Sequence, residues 1–345
     1  MVSRVPRAAQ PEAESCDHLE RSLLAKSRLC NRESDTLECD VTDLAVVSTE
    51  GKIPFKGYET WYRVYGEGET PGKLPLLCLH GGPGAAHDYL ESLAAMAHTG
   101  RRVIFYDQLG CSRSAIPESR PDLWTVDLYL EEVNTVRAAL GLDHVHVLGQ
   151  SWGGMLAMEY ALTHPVGMES LIVASSPASM IQWVQEANRL REELPPAVQA
   201  TLLKHEATGT FGDPEYAAAM QVFYNRHVCR VVPNPDYVTR SFDSIGVNPE
   251  VYYTMNGPTE FHVIGTLKEW DIIDRLGEIR VPTLVTSGRF DEATPLIAGT
   301  VHQGISGSQW EIFEASSHMP HAEEPARYMA VLDGFLSAVE AARAG

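Results

Sequence analysis

Positive charge is scarce in this 345-residue chain: 27 Lys and Arg stand against 46 Asp and Glu, a formal net charge of −19. No run of basic residues offsets that excess locally, so phosphate backbones and anionic lipid headgroups are repelled, and neither nucleic acid nor a membrane is an expected partner. The acidity also suits a cationic substrate, although solubility alone accounts for it. Long apolar runs are missing as well. The N-terminal region carries scattered charges and no apolar stretch longer than Leu23-Leu24-Ala25, which argues against a secretory leader or membrane span and makes the cytoplasm the expected location. The cysteines Cys16, Cys30, Cys39, Cys78, Cys111 and Cys229 form no C-x-x-C pair and no zinc-like spacing. Reduced thiols are therefore expected, and no metal or organic cofactor follows from them. Internal repeats and low-complexity tracts are also lacking.

What is present reads as a folding, globular sequence, with 44% apolar and 21% charged residues. Residues 1–40 lack a sustained period and read as an N-terminal extension, with a short amphipathic helix possible over Leu19–Leu29. Strand-like patterns at Leu44–Ser48 and Tyr58–Val64, with a turn at Glu50-Gly51-Lys52, predict an antiparallel opening hairpin. The short apolar runs Leu74–Leu79, Val103–Tyr106, Val145–Leu148, Leu171–Ala174 and Val281–Thr286 have the character of buried parallel strands. Helical stretches lie between them, at Leu128–Leu140 before Gly141 and at Met155–Leu162 before His164-Pro165. That alternation implies a doubly wound, mostly parallel sheet. It lapses between Pro177 and about Glu269 into helix-like stretches, so 41–176 and 270–345 read as the core and 177–269 as an inserted helical cap. A cap over the C-terminal strand ends would close a pocket where open α/β sheets bind ligands.

Gly149-Gln150-Ser151-Trp152-Gly153 matches G-x-S-x-G, for which composition alone gives about 0.14 chance matches in this chain. The pentapeptide is weak by itself, and its context strengthens it. A strand leads in and a helix-forming run leads out, the setting of a nucleophile elbow in the α/β-hydrolase fold. A serine hydroxyl needs a base, and the base needs a carboxylate to orient it. On this fold the chain order is Ser, acid, His. Asp291 follows the strand Val281–Ser287, and His318 follows Trp310–Phe313, so Ser151, Asp291 and His318 are the expected triad. His321 competes with His318, but Pro320 argues against a helix presenting both to a metal ion. His144 and His146 read as structural or solvent-facing. His80-Gly81-Gly82-Pro83-Gly84 follows a strand at the loop that supplies one oxyanion donor, which makes the N–H groups of Gly82 and Trp152 the expected pair.

Over roughly residues 44 to 340 the chain resembles the proline iminopeptidase family of serine aminopeptidases and its amino-acid amidase relatives. The resemblance is carried by His80–Gly84, Tyr106-Asp107-Gln108-Leu109-Gly110-Cys111, Gly149–Gly154, Gly288–Pro295, and His318-Met319-Pro320-His321 with Glu323-Glu324-Pro325. Ser112 departs from it, standing where glycine is usual. The resemblance implies carboxylates that hold the substrate's free α-amino group. Glu260, in Met255-Asn256-Gly257-Pro258-Thr259-Glu260-Phe261, and Glu292 occupy those positions. It also implies a small amino-acid amide or short peptide with a free N-terminus as substrate, hydrolysed through an acyl-enzyme without a cofactor. Ester, thioester or lactone hydrolysis and acyl transfer by the same triad stay open, as does a noncatalytic binding protein on the same fold.

Overall fold

The computed structural model describes residues 46–345. The expected extension 1–40, with its Leu19–Leu29 helix and Cys16, Cys30 and Cys39, lies outside the described residues, as do Leu44 and Ala45.

The fold opens with two antiparallel strands, β1 (Ser48–Phe55) and β2 (Tyr58–Tyr65), paired from Ser48 opposite Tyr65 to Phe55 opposite Tyr58. This corrects the first strand expected at Leu44–Ser48 and the turn expected at Glu50-Gly51-Lys52, residues that lie within β1. The chain reverses instead at Lys56-Gly57, whose φ values of 52° and 87° are the positive pair that a two-residue hairpin requires. Gly51 faces Tyr62, and a Cβ on it would stand 2.7 Å from that ring's hydroxyl. The isolated glycine therefore makes room for an aromatic neighbour rather than marking a turn.

Alternation follows: β3 (Leu76–Leu79), a 3₁₀ segment (His87–Thr99), β4 (Val103–Tyr106), α1 (Val126–Ala139), β5 (Val145–Gln150), α2 (Trp152–Leu162) and β6 (Met168–Ala174). Next come the helices α3 (Met180–Glu192), α4 (Pro196–Thr208), α5 (Pro214–His227), α6 (Asp236–Val247) and α7 (Glu250–Met255). Then β7 (Thr283–Gly288), α8 (Pro295–Gly304), β8 (Gln309–Phe313), α9 (Pro320–Glu323) and α10 (Pro325–Ala344) complete the chain. Local chemistry sets several of these boundaries. The Thr125 hydroxyl caps α1 by accepting from Leu128 N, and Gly141, at φ 63°, follows its end.

The strands form one sheet in the order β1-β2-β4-β3-β5-β6-β7-β8, parallel from β4 onward. Alternate side chains of the central strands enter opposite cores. Leu77, Leu79, Ile104, Tyr106, Val145 and Val147 pack with α1, α2 and α8 on one face. Leu76, Cys78, Val103, Phe105 and Leu148 pack with the 3₁₀ segment and α10 on the other. Burial on both faces explains why these strands are uniformly apolar. Strand β3 connects on to β4 on one side, whereas β5 connects on to β6 on the other. The crevice above the carboxyl ends of β3 and β5 is thus the sheet's topological switch point, where this architecture binds ligands. Among the described residues no helix is long and apolar enough to cross a membrane.

Candidate active site

Ser151 sits at that switch point, between the last residue of β5 and the first of α2, with φ 57° and ψ −124°. A non-glycine residue in this region is strained by about 1–3 kcal/mol, and the strain is held by the packing around it. A Cβ on Gly149 would lie 2.0 Å from the Gly153 carbonyl oxygen, and one on Gly153 would lie 2.1 Å from that of Leu79. Only glycines let β5, α2 and the end of β3 approach so closely, which is the physical content of the G-x-S-x-G spacing. The Ser151 N–H donates to Ala174 O at 3.0 Å, and its carbonyl accepts from Ser176 Oγ at 2.7 Å, fixing both sides of the turn.

Asp291 and His318 arrive from the neighbouring strand ends. Asp291, 1% exposed, lies beyond β7 and accepts from Ala293 N at 2.7 Å and Gly288 N at 3.3 Å. Its Oδ1 is 2.7 Å from Nδ1 of His318, which is 4% exposed. That contact leaves Nε2 as the ring nitrogen directed elsewhere. Glu323 and Glu324 hold the histidine loop from below: Glu323 accepts from the Ser317 N–H and hydroxyl, Glu324 from Ala315 N and Ser316 Oγ. His321 is buried 1% exposed in a different setting, with Nε2 3.1 Å from Tyr89 O. Burial pushes its pKa down to about 4.

Gly82, at φ 113°, lies on the loop after β3, and Trp152 opens α2. Among the described residues neither backbone N–H has an acceptor within the protein. Gln108, from the Tyr106–Cys111 motif, ties the two segments together: its amide donates to His80 O and accepts from Trp152 Nε1, both at 2.8 Å. Ser112, the departure from the family pattern, takes a left-handed φ of 40°, which is the conformational reason a glycine is usual there.

Glu292 is 3% exposed, with Oε1 3.6 Å from His318 Nε2 and Oε2 without any hydrogen-bond partner. Burial pushes its carboxyl well above the usual range, and the like charges of Glu260 and Asp291 push it further. Glu260, half-buried between α7 and β7, accepts from the Tyr252 hydroxyl at 2.6 Å, which partly offsets the upward push of burial. His227, the last residue of α5, clamps the acid loop from the opposite side by taking the Glu292 N–H at its carbonyl and placing Nδ1 2.8 Å from Phe290 O.

A cavity of about 420 Å³ is lined by Ser151, His318, Gly82, Glu260 and Glu292, so these sequence-predicted residues share one space. Trp152 lies on a smaller adjoining recess together with Ser151, Gly82 and Glu260. Asp291 stands behind His318, out of the cavity. Among the described residues, two groups could offer three ligand atoms to a metal, His87-Asp88-Glu91 and His205-Asp213-Glu215, and neither includes a triad residue. In the first, Asp88 and Glu91 are already bridged by Arg240 at 3.2 and 2.7 Å. Sequence reasoning missed Tyr89, whose only signal is a position shortly after the glycine loop, and Trp183, whose ring meets the His318 ring edge at 6.0 Å.

Residues 75–325 match the family model described as alpha/beta hydrolase fold. The chain is 43% identical over 292 residues to a proline iminopeptidase of Lactobacillus acidophilus, covering 84% of this chain and 98% of the relative. The crystal structure of VinJ superposes with a TM-score of 0.82 at 47% identity, covering 84% of this chain and 99% of that one. A proline iminopeptidase structure from Mycobacterium smegmatis gives 0.80 at 45% identity, covering 86% and 100%. The chain belongs to the proline iminopeptidase family of the α/β-hydrolase fold.

Proposed function

We propose that this serine hydrolase removes the N-terminal residue from an amino-acid amide or short peptide with a free amine. Ser151 Oγ attacks the carbonyl carbon while His318 Nε2 takes its proton, and Asp291 stabilises the resulting imidazolium. The N–H groups of Gly82 and Trp152 stabilise the negative oxygen of the tetrahedral intermediate. As the C–N bond breaks, His318 returns the proton to the leaving amine. Water then attacks the acyl-enzyme with His318 again as base, releasing the amino acid and restoring the Ser151 hydroxyl. No step needs a cofactor.

The observation that carries this reading is the buried carboxyl group of Glu292, with Oε1 3.6 Å from His318 Nε2 and Oε2 unpartnered. A substrate ammonium would supply the missing counter-charge and hydrogen bonds, with Glu260 as its second acceptor. An ester, thioester or lactone lacking an amine would leave that carboxylate uncompensated, so the same observation weighs against those substrates. The five helices between β6 and β7 are, in this reading, a cap over residues 177–269 that excludes water from the site. A cytoplasmic location belongs to the same proposal and is supported by the buried free thiols of Cys78, Cys111 and Cys229. Labelling with a fluorophosphonate tests the nucleophile: modification confined to Ser151 is expected, and a wild-type protein that turns over aminoacyl amides without reacting there would contradict the mechanism.

A further inference from the structure

The space around Ser151 is divided unequally, and the division has a direction. His318 must reach the departing nitrogen in order to protonate it. It lines the cavity of about 420 Å³ and is not among the residues lining the recess of about 20 Å³, which shares Ser151, Gly82 and Glu260 with that cavity. The leaving group therefore departs through the large cavity, and the side chain of the acyl residue turns into the recess. Glu260 borders both spaces, so an amine held there sits at their junction.

The recess is walled by Trp152, Met155, Met180, Trp183 and Leu267. Its volume accommodates roughly one water-sized group, which suits a methyl, or a small ring once the flexible methionines yield. The large cavity extends toward α5, α6 and α7, where Tyr224, Val228, Phe242, Ile245 and Tyr253 supply most of the wall and the uncharged Gln221, Asn234 and Ser241 its polar positions. Among the described residues neither Lys nor Arg lines it, and its only carboxylates are Glu260 and Glu292. A dipeptide's free carboxylate would lie one residue from the scissile bond, within those walls, with no cation to meet it and two acids nearby.

Resting on the aminopeptidase reading, we propose that the enzyme takes substrates with a small acyl residue and a bulky, uncharged, apolar amine as leaving group. Short peptides ending in a free carboxylate are poor substrates. The test uses wild-type protein and the matched pair Ala-Leu-NH₂ and Ala-Leu-OH, which differ only at the distal end, with Ala-NH₂ and an alanyl arylamide as size references. N-acetyl-Ala-Leu-NH₂ reports separately on the free-amine requirement. The expected result is kcat/KM about 10- to 100-fold higher for the carboxamide than for the carboxylate, with the arylamide above Ala-NH₂. Ile245→Lys, which places a cation on the chamber wall, should narrow the gap by improving the carboxylate substrate. Equal rates for the matched pair, or faster cleavage of Ala-Leu-OH, overturn the inference. Equal rates for the free and acetylated carboxamides would instead overturn the amine-recognition reading beneath it.

Discussion

The side chain of Gln150 donates from Nε2 to the carbonyl oxygen of His318 at 2.9 Å, joining the nucleophile's turn to the histidine's loop. Its Oε1 accepts from the Tyr89 hydroxyl at 2.5 Å, which in turn accepts from the Gly81 N–H at 2.7 Å. One buried chain of bonds thus connects the glycine loop, Gln150 next to Ser151, and the backbone of His318. Gln150→Leu, which removes both side-chain bonds, should lower kcat by about 10- to 100-fold while changing KM less, because orientation rather than substrate contact is lost. Steady-state kinetics alongside a thermal melt check this; a KM defect with kcat intact would contradict it.

The two histidines separated by three residues should behave differently. Ser151→Ala and His318→Ala are each expected to reduce turnover by roughly a million-fold while leaving the fold intact, the scale for removing a triad nucleophile or base. His321→Gln should be much milder in activity, since the His321 ring contacts Tyr89 O and lies away from Asp291. A larger kinetic loss in His321→Gln than in His318→Ala would reverse the assignment of the base.

His321 should instead appear in the acid stability of the protein. Its folded pKa of about 4 lies below the ordinary 6.5, so the unfolded chain binds more protons between those values. Its contribution is present above pH 6.5 and is lost as pH falls toward 4, by about 3 kcal/mol over the window. Urea unfolding of wild type and His321→Gln at several pH values measures this, and the variant should show the shallower decline.

Much of this architecture was legible in sequence because it rests on short-range constraints. The central strands are uniformly apolar because both faces are covered, and the elbow is visible because Gly149 and Gly153 have no space for a side chain. Asp291 and His318 could be located from chain order and their positions after strands. The opening hairpin was misread because Gly51, placed to accommodate Tyr62, carries the same local signal as a turn glycine. The Tyr89–Gln150–His318 bonds were not legible, since they join residues 61 and 168 positions apart and depend on how the loops converge. Glu260 and Glu292 came only from family resemblance; an isolated glutamate in sequence carries no mark of burial.

In the proposed mechanism Glu292 also makes amine recognition pH-dependent. Burial and the neighbouring acids hold its carboxyl well above the usual range, so it takes up a proton as pH falls while still far from strong acid, and its attraction for an ammonium is then lost. The acid-side decline of kcat/KM for an aminoacyl amide should therefore begin at higher pH than that for a small neutral ester. Glu292→Gln should abolish the difference, and coincident profiles in the wild type would contradict it.

The central proposal is selection of a free substrate amine for Ser151 by the buried Glu292 and the half-buried Glu260. Its most direct test is kcat/KM of the wild-type enzyme on an alanyl or prolyl arylamide and on the N-acetylated counterpart, with Glu260→Gln and Glu292→Gln measured in parallel. A strong preference for the free amine is expected, up to about 10⁴-fold with well-desolvated acids, with a loss in both variants that falls mainly on the free-amine substrate. Equal wild-type rates on the two arylamides would contradict the claim.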